Sequence, residues 1–274
     1  MNYRLIALDI DGTLTNDSKE ITPKTRRALI EAQERGCILA LVSGRPSNGL
    51  EKESHILKMH QHHGLLISYN GGKIADATTK EVIFEKCMPR ETVVRLLRHI
   101  ECYDVTPMMD DGTWLLTDRE NGYQVLYESK NSNMPPKVVP SLADAAADMK
   151  KPPVKIMMAA PPEQLKGISH MLSEPFENEL SFQFTAPFYY EATAKGISKA
   201  AALEKACQIL RILPREVMAF GDAQNDISMI QFAGHGVAMA NGCRELKEEA
   251  DEITCSNNED GIAVALNRYF SLNS

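Results

Sequence analysis

The stretch Arg4-Leu5-Ile6-Ala7-Leu8-Asp9-Ile10-Asp11-Gly12-Thr13-Leu14 decides how the rest of the chain is read. Residues 4–10 form a short apolar run that stops abruptly at acids and a glycine, the pattern of a strand buried on both faces of a parallel sheet. Two residues apart on an extended chain, Asp9 and Asp11 point the same way, and Gly12 permits a sharp exit from the strand. Such a pair lets one carboxylate attack while the other handles protons. The plain alternative is a turn capped by acids. Calcium-binding loops also begin this way, and position 12 counted from Asp9 is Glu20, but Leu14 and Ile21-Thr22-Pro23 break the ligand pattern such loops need.

Working outward, Thr22-Pro23 opens a helix with Ala28, Leu29 and Ala32 on one face, and Gly36 closes it. Residues 37–42 are a second continuous apolar run, so the segment reads as a βαβ unit. A third run, residues 64–69, ends at Asn70-Gly71-Gly72. These abrupt stops mark the carboxyl edge of one sheet. From about residue 84 to 189 the character changes. Val93, Leu96, Leu97 and Ile100 stand at helical spacing, and residues 113–117 and 123–127, separated by Asn121-Gly122, predict a β-hairpin. Prolines 135, 136 and 140 mark joints before a helix over 142–149, a strand over 154–160, a helix over 163–172 and strands over 180–185 and 188–192. Helices and paired strands in this order predict a separate α+β module. Past Thr193 the first pattern resumes with a helix over 197–210, a strand over 217–220, a helix over 226–233 and a strand over 235–240. The capping-box pattern Ser256-x-x-Glu259 then announces a final helix. One α/β domain is interrupted by another.

The chain has 274 residues, a little under two domains at roughly 150 residues each. Hydrophobic residues are 43% and charged residues 24%, a balance that excludes collagen-like and disordered classes. The net charge is −7 and no block of five like charges occurs, which disfavours a nucleic-acid partner. The longest apolar run is the six residues 37–42, against about twenty for a membrane span. The first residues enter a strand with no small-residue cleavage site, so a cytoplasmic protein without a membrane partner is expected. Six cysteines without a Cys-x-x-Cys pair encode neither a zinc ribbon nor a redox motif.

Gly221-Asp222-Ala223-Gln224-Asn225-Asp226 places oxygen ligands at a second strand terminus, although Asn225-Asp226 also suits a helix cap. A hard divalent cation such as magnesium takes carboxylate oxygens and shares substrate phosphate, so two acidic clusters on neighbouring strand ends predict a metal site. Ser43-Gly44-Arg45 follows the second run, and Lys195 and Lys199 flank Gly196-Ile197-Ser198. Hydroxyl, amide and ammonium groups suit the equatorial oxygens of a transferring phosphoryl group.

In their order, these four segments resemble the motifs of the haloacid dehalogenase superfamily, in particular its Cof-type phosphatase branch (subfamily IIB, with a large C2-type cap). The resemblance extends over nearly the whole chain, including Asn70-Gly71-Gly72, Val237-Ala238-Met239-Ala240-Asn241 and Ser256-Asn257-Asn258-Glu259-Asp260-Gly261. It implies an α/β fold: a Rossmann-like parallel-sheet core over residues 1–82 and 190–274, carrying an inserted α+β cap over 83–189. It also implies a magnesium-dependent phosphatase acting on a small phosphorylated metabolite, a sugar phosphate by family likeness, through an aspartyl-phosphate. By position, Asp9 would be the nucleophile and Asp11 the general acid/base. Ser43, Gly44 and Lys199 would hold the phosphoryl group. Magnesium would be bound by Asp9, the Asp11 carbonyl and Asp222, supported by Gly12, Thr13, Asn225 and Asp226.

Ala200 stands where glycine commonly follows the motif lysine, and Ala240 and Gly242 flank Asn241 where glycine and alanine are more usual. Lys195 competes with Lys199 as the phosphate-binding lysine, since it precedes a glycine, Gly196, near the presumed strand end. His60-x-His62-His63 lacks a carboxylate or cysteine partner in sequence and reads as non-ligating. Met157-Met158 read as core filling, and Trp114, Tyr123, Tyr127, Tyr189 and Tyr190 as packing on the cap sheet. Two rivals stand beside the phosphatase: a phosphomutase of the same superfamily, and a non-catalytic metal- or phosphate-binding module.

Overall fold

A computed structural model describes residues 3–270. These form two compact units: residues up to 44, 50–84 and from 198 onward make the first, Arg45–Gly49 with Glu85–Ile197 the second.

The first unit is built on an eight-stranded sheet. Glu252–Ile253, His235–Ala238, Val217–Gly221, Leu5–Leu8, Ile38–Val42 and Leu65–Ser68 lie side by side and parallel, followed by antiparallel Lys73–Asp76 and the edge strand Val82–Glu85. Successive residues of a strand face opposite ways, and here both ways are inward. Ile6, Leu8, Leu39 and Leu41 pack with Leu29 and Ala32 of helix Pro23–Glu34 and Ile262 and Leu266 of helix Gly261–Phe270. Leu5, Ala7, Ala40 and Val42 pack with Ala202 and Leu203 of helix Lys199–Leu210 and Ile230 of helix Ile227–Phe232. That is why each apolar run is continuous rather than alternating. Because these strands are parallel, their carboxyl ends share one edge, and Asp9, Ser43, Asn70 and Asp222 follow those ends.

The second unit carries a six-stranded sheet in the order Leu180–Ala186, Tyr189–Ala194, Lys155–Ala159, Thr106–Asp110, Leu115–Thr117, Pro136–Val138. It is antiparallel except for its last pair. Helices Arg90–Ile100, Leu142–Asp148 and Pro162–Ser173 contribute to the core on one face, and helix Val125–Ser132 to that on the other.

The hairpin expected at Asn121-Gly122 does not form. Leu115–Thr117 pairs in parallel with Pro136–Val138, and the residues after the turn enter helix Val125–Ser132. The buried face of that helix is Val125, Glu128 and Ser132, so it shows no apolar helical period. Strand Tyr189–Ala194 is paired within this sheet to its last residue, so the second unit runs to Ile197, beyond the expected boundary at 189, and it takes in Arg45–Gly49. Of the aromatics expected to pack on the sheet, Tyr189 and Tyr190 are buried, whereas Trp114, Tyr123 and Tyr127 are exposed. Among the described residues no helix is long and apolar enough to cross a membrane.

Candidate active site

The Asp9 amide donates to the Phe220 carbonyl at 3.1 Å, a last link of the sheet, and then the chain turns. The Ile10 carbonyl accepts from the amides of Leu14 at 3.1 Å and Thr15 at 3.0 Å. The extended geometry expected to align Asp9 and Asp11 therefore ends at Ile10, and the two carboxylates have different surroundings. Asp9 is buried. Asp11 is partly exposed and pairs with Lys19 Nζ at 2.7 Å.

Gly12 is required here twice over. Its φ is +87°, and a Cβ on it would lie 2.4 Å from Asp222 Oδ2. Thr13 Oγ1 donates to Asp222 Oδ1 at 2.8 Å, so the first and last acidic segments meet across 209 residues of chain. Asn241 Nδ2 donates to the Gly12 carbonyl at 2.7 Å, and Asn257 Nδ2 to the Thr15 carbonyl at 3.0 Å. These two asparagines brace the loop; they belong to stretches noted only for family likeness.

Lys199 lies between two acids. Ser198 caps its helix by accepting from the Ala201 amide, which makes Lys199 the first helical residue. Its Nζ reaches Asp9 Oδ1 at 2.6 Å and Asp226 Oδ1 at 2.5 Å, with only 1% of the residue exposed. Asp226 Oδ2 accepts from the amides of Asp222 and Ala223 at 3.1 and 3.0 Å, so both its oxygens are engaged. Burial opposes the Lys199 charge, yet Asp226 and Asp9 outweigh it and hold the ammonium above its usual range. Burial raises Asp9 well above the carboxylate range, with Asp226 adding to it and Lys199 opposing. Asp222 is pushed up to about 6, chiefly by burial, against the Thr13 hydrogen bond that favours its charge. Lys195 is exposed, belongs to the second unit, and its carbonyl accepts from Lys86 Nζ at 2.7 Å.

Ser43 is buried, and its carbonyl accepts from the Asn70 amide at 2.8 Å. Asn70, with φ +54°, takes a hydrogen bond on Oδ1 from Asn225 Nδ2 at 3.1 Å, and its own Nδ2 is buried with no partner. A Cβ on Gly44 would stand 3.0 Å from that Nδ2. Asn70 thus ties the Ser43-Gly44 turn to Asn225, a link visible only once the strands are assembled.

The donor set suits a hard divalent cation. Oxygens of Asp9, Asp222 and Asp226 lie within 4.8 Å of one another, three carboxyl groups beside the single Lys199 ammonium. Asp9 Oδ2 and Asp222 Oδ2 accept no hydrogen bond among the described residues, which leaves them for a cation that prefers carboxylate oxygen. The Asp11 carboxylate is outside this group. His63 Nδ1 instead meets Asp76 Oδ2 at 3.0 Å and His60 stacks on His55, and neither joins an acidic trio.

The model of the haloacid dehalogenase-like hydrolases matches residues 6–266. The chain belongs to that family. It is similar to the crystal structure of a haloacid dehalogenase-like hydrolase from Bacteroides thetaiotaomicron, with TM-score 0.92 and 34% identity over 98% of this chain and 100% of that one. It is 32% identical over 270 residues to the 5-amino-6-(5-phospho-D-ribitylamino)uracil phosphatase YcsE of Bacillus subtilis (strain 168), covering 98% of this chain and 96% of the relative. It is 27% identical over 274 residues to the pyridoxal phosphate phosphatase YbhA of Escherichia coli (strain K12), covering 96% and 97%. The expected α/β class and the Cof-type branch both hold.

Proposed function

We propose that the chain is a magnesium-dependent phosphatase that hydrolyses a small phosphorylated metabolite, a sugar phosphate by preference, through an aspartyl-phosphate. As a member of this family it is a phosphoric monoester hydrolase; the metal, the substrate class and the residue roles are the proposal. The observation that carries it is the seat of Asp9, a buried carboxylate at a strand end, held by the Lys199 ammonium at 2.6 Å and faced by Asp222.

In this reading one Asp9 oxygen attacks phosphorus, the bond to the leaving alcohol breaks, and Asp11 delivers its proton to that oxygen. Asp11, now ionised, takes a proton from water as the water oxygen attacks the aspartyl-phosphate, freeing inorganic phosphate and the Asp9 carboxylate. Lys199, the Ser43 hydroxyl and the Gly44 amide hold the phosphoryl oxygens, and Asn225 supports them. Lys199 also opposes the burial that favours the neutral form of Asp9. Asp9, Asp222 and the Asp11 carbonyl would hold magnesium, which would supply the positive charge that lets a phosphate dianion approach so many acids. The two phosphatases above are named for different phosphorylated metabolites, in keeping with a common phosphoryl site and a variable specificity region. A cytoplasmic enzyme without nucleic-acid or membrane partners accords with the net charge of −7.

The test is phosphate release from a panel of phosphorylated metabolites, with magnesium, after chelation and after magnesium is restored. Release that follows the metal supports the reading. A requirement for a bisphosphate activator without free phosphate would favour a mutase, and no turnover under any condition a binding module.

A further inference from the structure

We propose that Asn70 is a further phosphoryl-binding residue, its Nδ2 donating to an oxygen of the phosphoryl group held by Ser43, Gly44 and Lys199. This rests on the phosphatase reading and adds a carboxamide donor to its contacts.

The backbone around Asn70 is strained and tightly placed. After strand Leu65–Ser68, the residues Tyr69, Asn70 and Gly71 all have positive φ, at +54°, +54° and +104°. Asparagine and glycine visit that region readily, whereas for a bulky residue such as Tyr69 it is an outlier. The loop is fixed from two sides. The Asn70 amide donates to the Ser43 carbonyl at 2.8 Å, and a Cβ on Gly71 would lie 2.4 Å from the carbonyl of Ser198, the residue before Lys199. Strain of this kind persists only where the surroundings impose it, and it clusters at ligand clamps.

The side chain is 3% exposed, and its Oδ1 accepts from Asn225 Nδ2 at 3.1 Å. Its Nδ2 is buried with no hydrogen-bond partner among the described residues. A buried donor left unpaired lowers stability, and a glycine here would suit the backbone without that loss. Stability therefore does not explain the amide. The carboxamide lies over Gly44, where a Cβ would stand 3.0 Å from Nδ2, 3.3 Å from Oδ1 and 3.4 Å from Cγ. The terminal torsion of an asparagine is broad, so a bare glycine leaves the amide room to turn. The kind of partner follows from the atom. An amide nitrogen only donates, so it calls for an acceptor. The same loop packs on the Ser43-Gly44 turn and on the start of the Lys199 helix, whose hydroxyl, amide and ammonium groups also suit an anion. A hydrogen bond from Nδ2 to a charged phosphoryl oxygen is stronger than one between neutral groups.

The experiment titrates inorganic phosphate, with magnesium, into the wild type, Asn70→Gly and Asn70→Asp by calorimetry, after the Tm of each is measured. Both variants are expected to fold: glycine suits the positive φ, and aspartate tolerates it and keeps an acceptor for Asn225. Asn70→Gly should bind phosphate about tenfold or more weakly, the worth of one hydrogen bond to a charged group. Asn70→Asp should bind it more weakly still, since a carboxylate cannot donate and repels the anion. A purely structural Asn70 predicts the reverse order, with the isosteric aspartate close to wild type and glycine the weaker. So does an Nδ2 that serves only a water, because water donates to a carboxylate as readily as it accepts from an amide. That reverse order, or equal affinities, would overturn the proposal. A wild type that binds phosphate yet cleaves no ester would instead sink the phosphatase reading, and the order of the affinities would still decide the Asn70 contact. A wild type that binds no phosphate would overturn both.

Discussion

Lys199 and Lys155 are both buried among carboxylates, one in each unit, and their surroundings differ in a way that burial alone does not reveal. Lys199 begins a helix at the edge where strand ends meet, and its partner Asp226 has both oxygens filled, one by the lysine and one by two backbone amides. That network is closed except at Asp9 Oδ2 and Asp222 Oδ2, where the proposed chemistry would occur. Lys155 lies within an antiparallel sheet, and the second oxygen of its partner Glu191 is left without a hydrogen bond. The first network holds a reactive group in place; the second has unfilled capacity. Counting satisfied acceptors separates them where exposure does not.

The comparison breaks most sharply at Asp9. Asp9→Asn should lower turnover by about 10⁴-fold or more, since an amide is a poor nucleophile. Its melting temperature should hold or rise, because the carboxylate it removes is penalised by burial. Near-normal phosphate release from the folded variant would contradict the role. Asp11→Asn should cost about 10²–10⁴-fold, the usual worth of a general acid/base, and most with a poor leaving group; an unchanged rate there removes Asp11 from the mechanism.

Stability distinguishes the two lysines next. Either Lys199→Met or Lys155→Met leaves a buried carboxylate unpaired and should cost about 3–5 kcal/mol in denaturant unfolding. Adding Glu191→Leu to Lys155→Met should recover most of that loss. Failure to recover would mean that the second network is as structurally committed as the first.

The smallest effect is in pH. Asp222 has its folded pKa raised to about 6. Its stabilising contribution is therefore complete below the unfolded value near 3.9 and is lost as pH rises through about 6. Metal-free protein should melt a few degrees lower at pH 7.5 than at pH 5, relative to Asp222→Asn under the same conditions, and saturating magnesium should erase the difference. A metal-free protein whose Tm difference matches that of the variant would remove Asp222 as its source.

Much of the first unit was legible because its chemistry lies where apolar runs stop. Asp9, Ser43 and Asp222 each follow a run that parallel packing must bury on both faces, so residue order alone predicts a shared edge. The choice of Lys199 over Lys195 turns on Ser198, whose cap puts the later lysine inside the helix and into contact with Asp9. Less was legible where a contact joins distant segments through short polar side chains. The links from Asn70 to Asn225 and from Asn241 to Gly12 have no local pattern. Helix Val125–Ser132 was hidden by its polar buried face, and strand Thr106–Asp110 by Pro107, which weakens a strand reading. The Lys155 group did leave a signal: Lys155 and Glu191 are the charged residues of otherwise uncharged strands, with the same parity as Met157 and Tyr189.

The central claim is that Asp9 carries the phosphoryl group between substrate and water. The most direct measurement is an acid quench of Asp11→Asn during turnover with magnesium and excess phosphate ester, followed by peptide mass analysis. This variant slows the hydrolytic half-reaction, so a phosphoryl group labile to hydroxylamine should accumulate on the peptide bearing Asp9 and be absent after chelation. Continued phosphate release with Asp9 unmodified, or a phosphoryl group on another residue, would contradict the account.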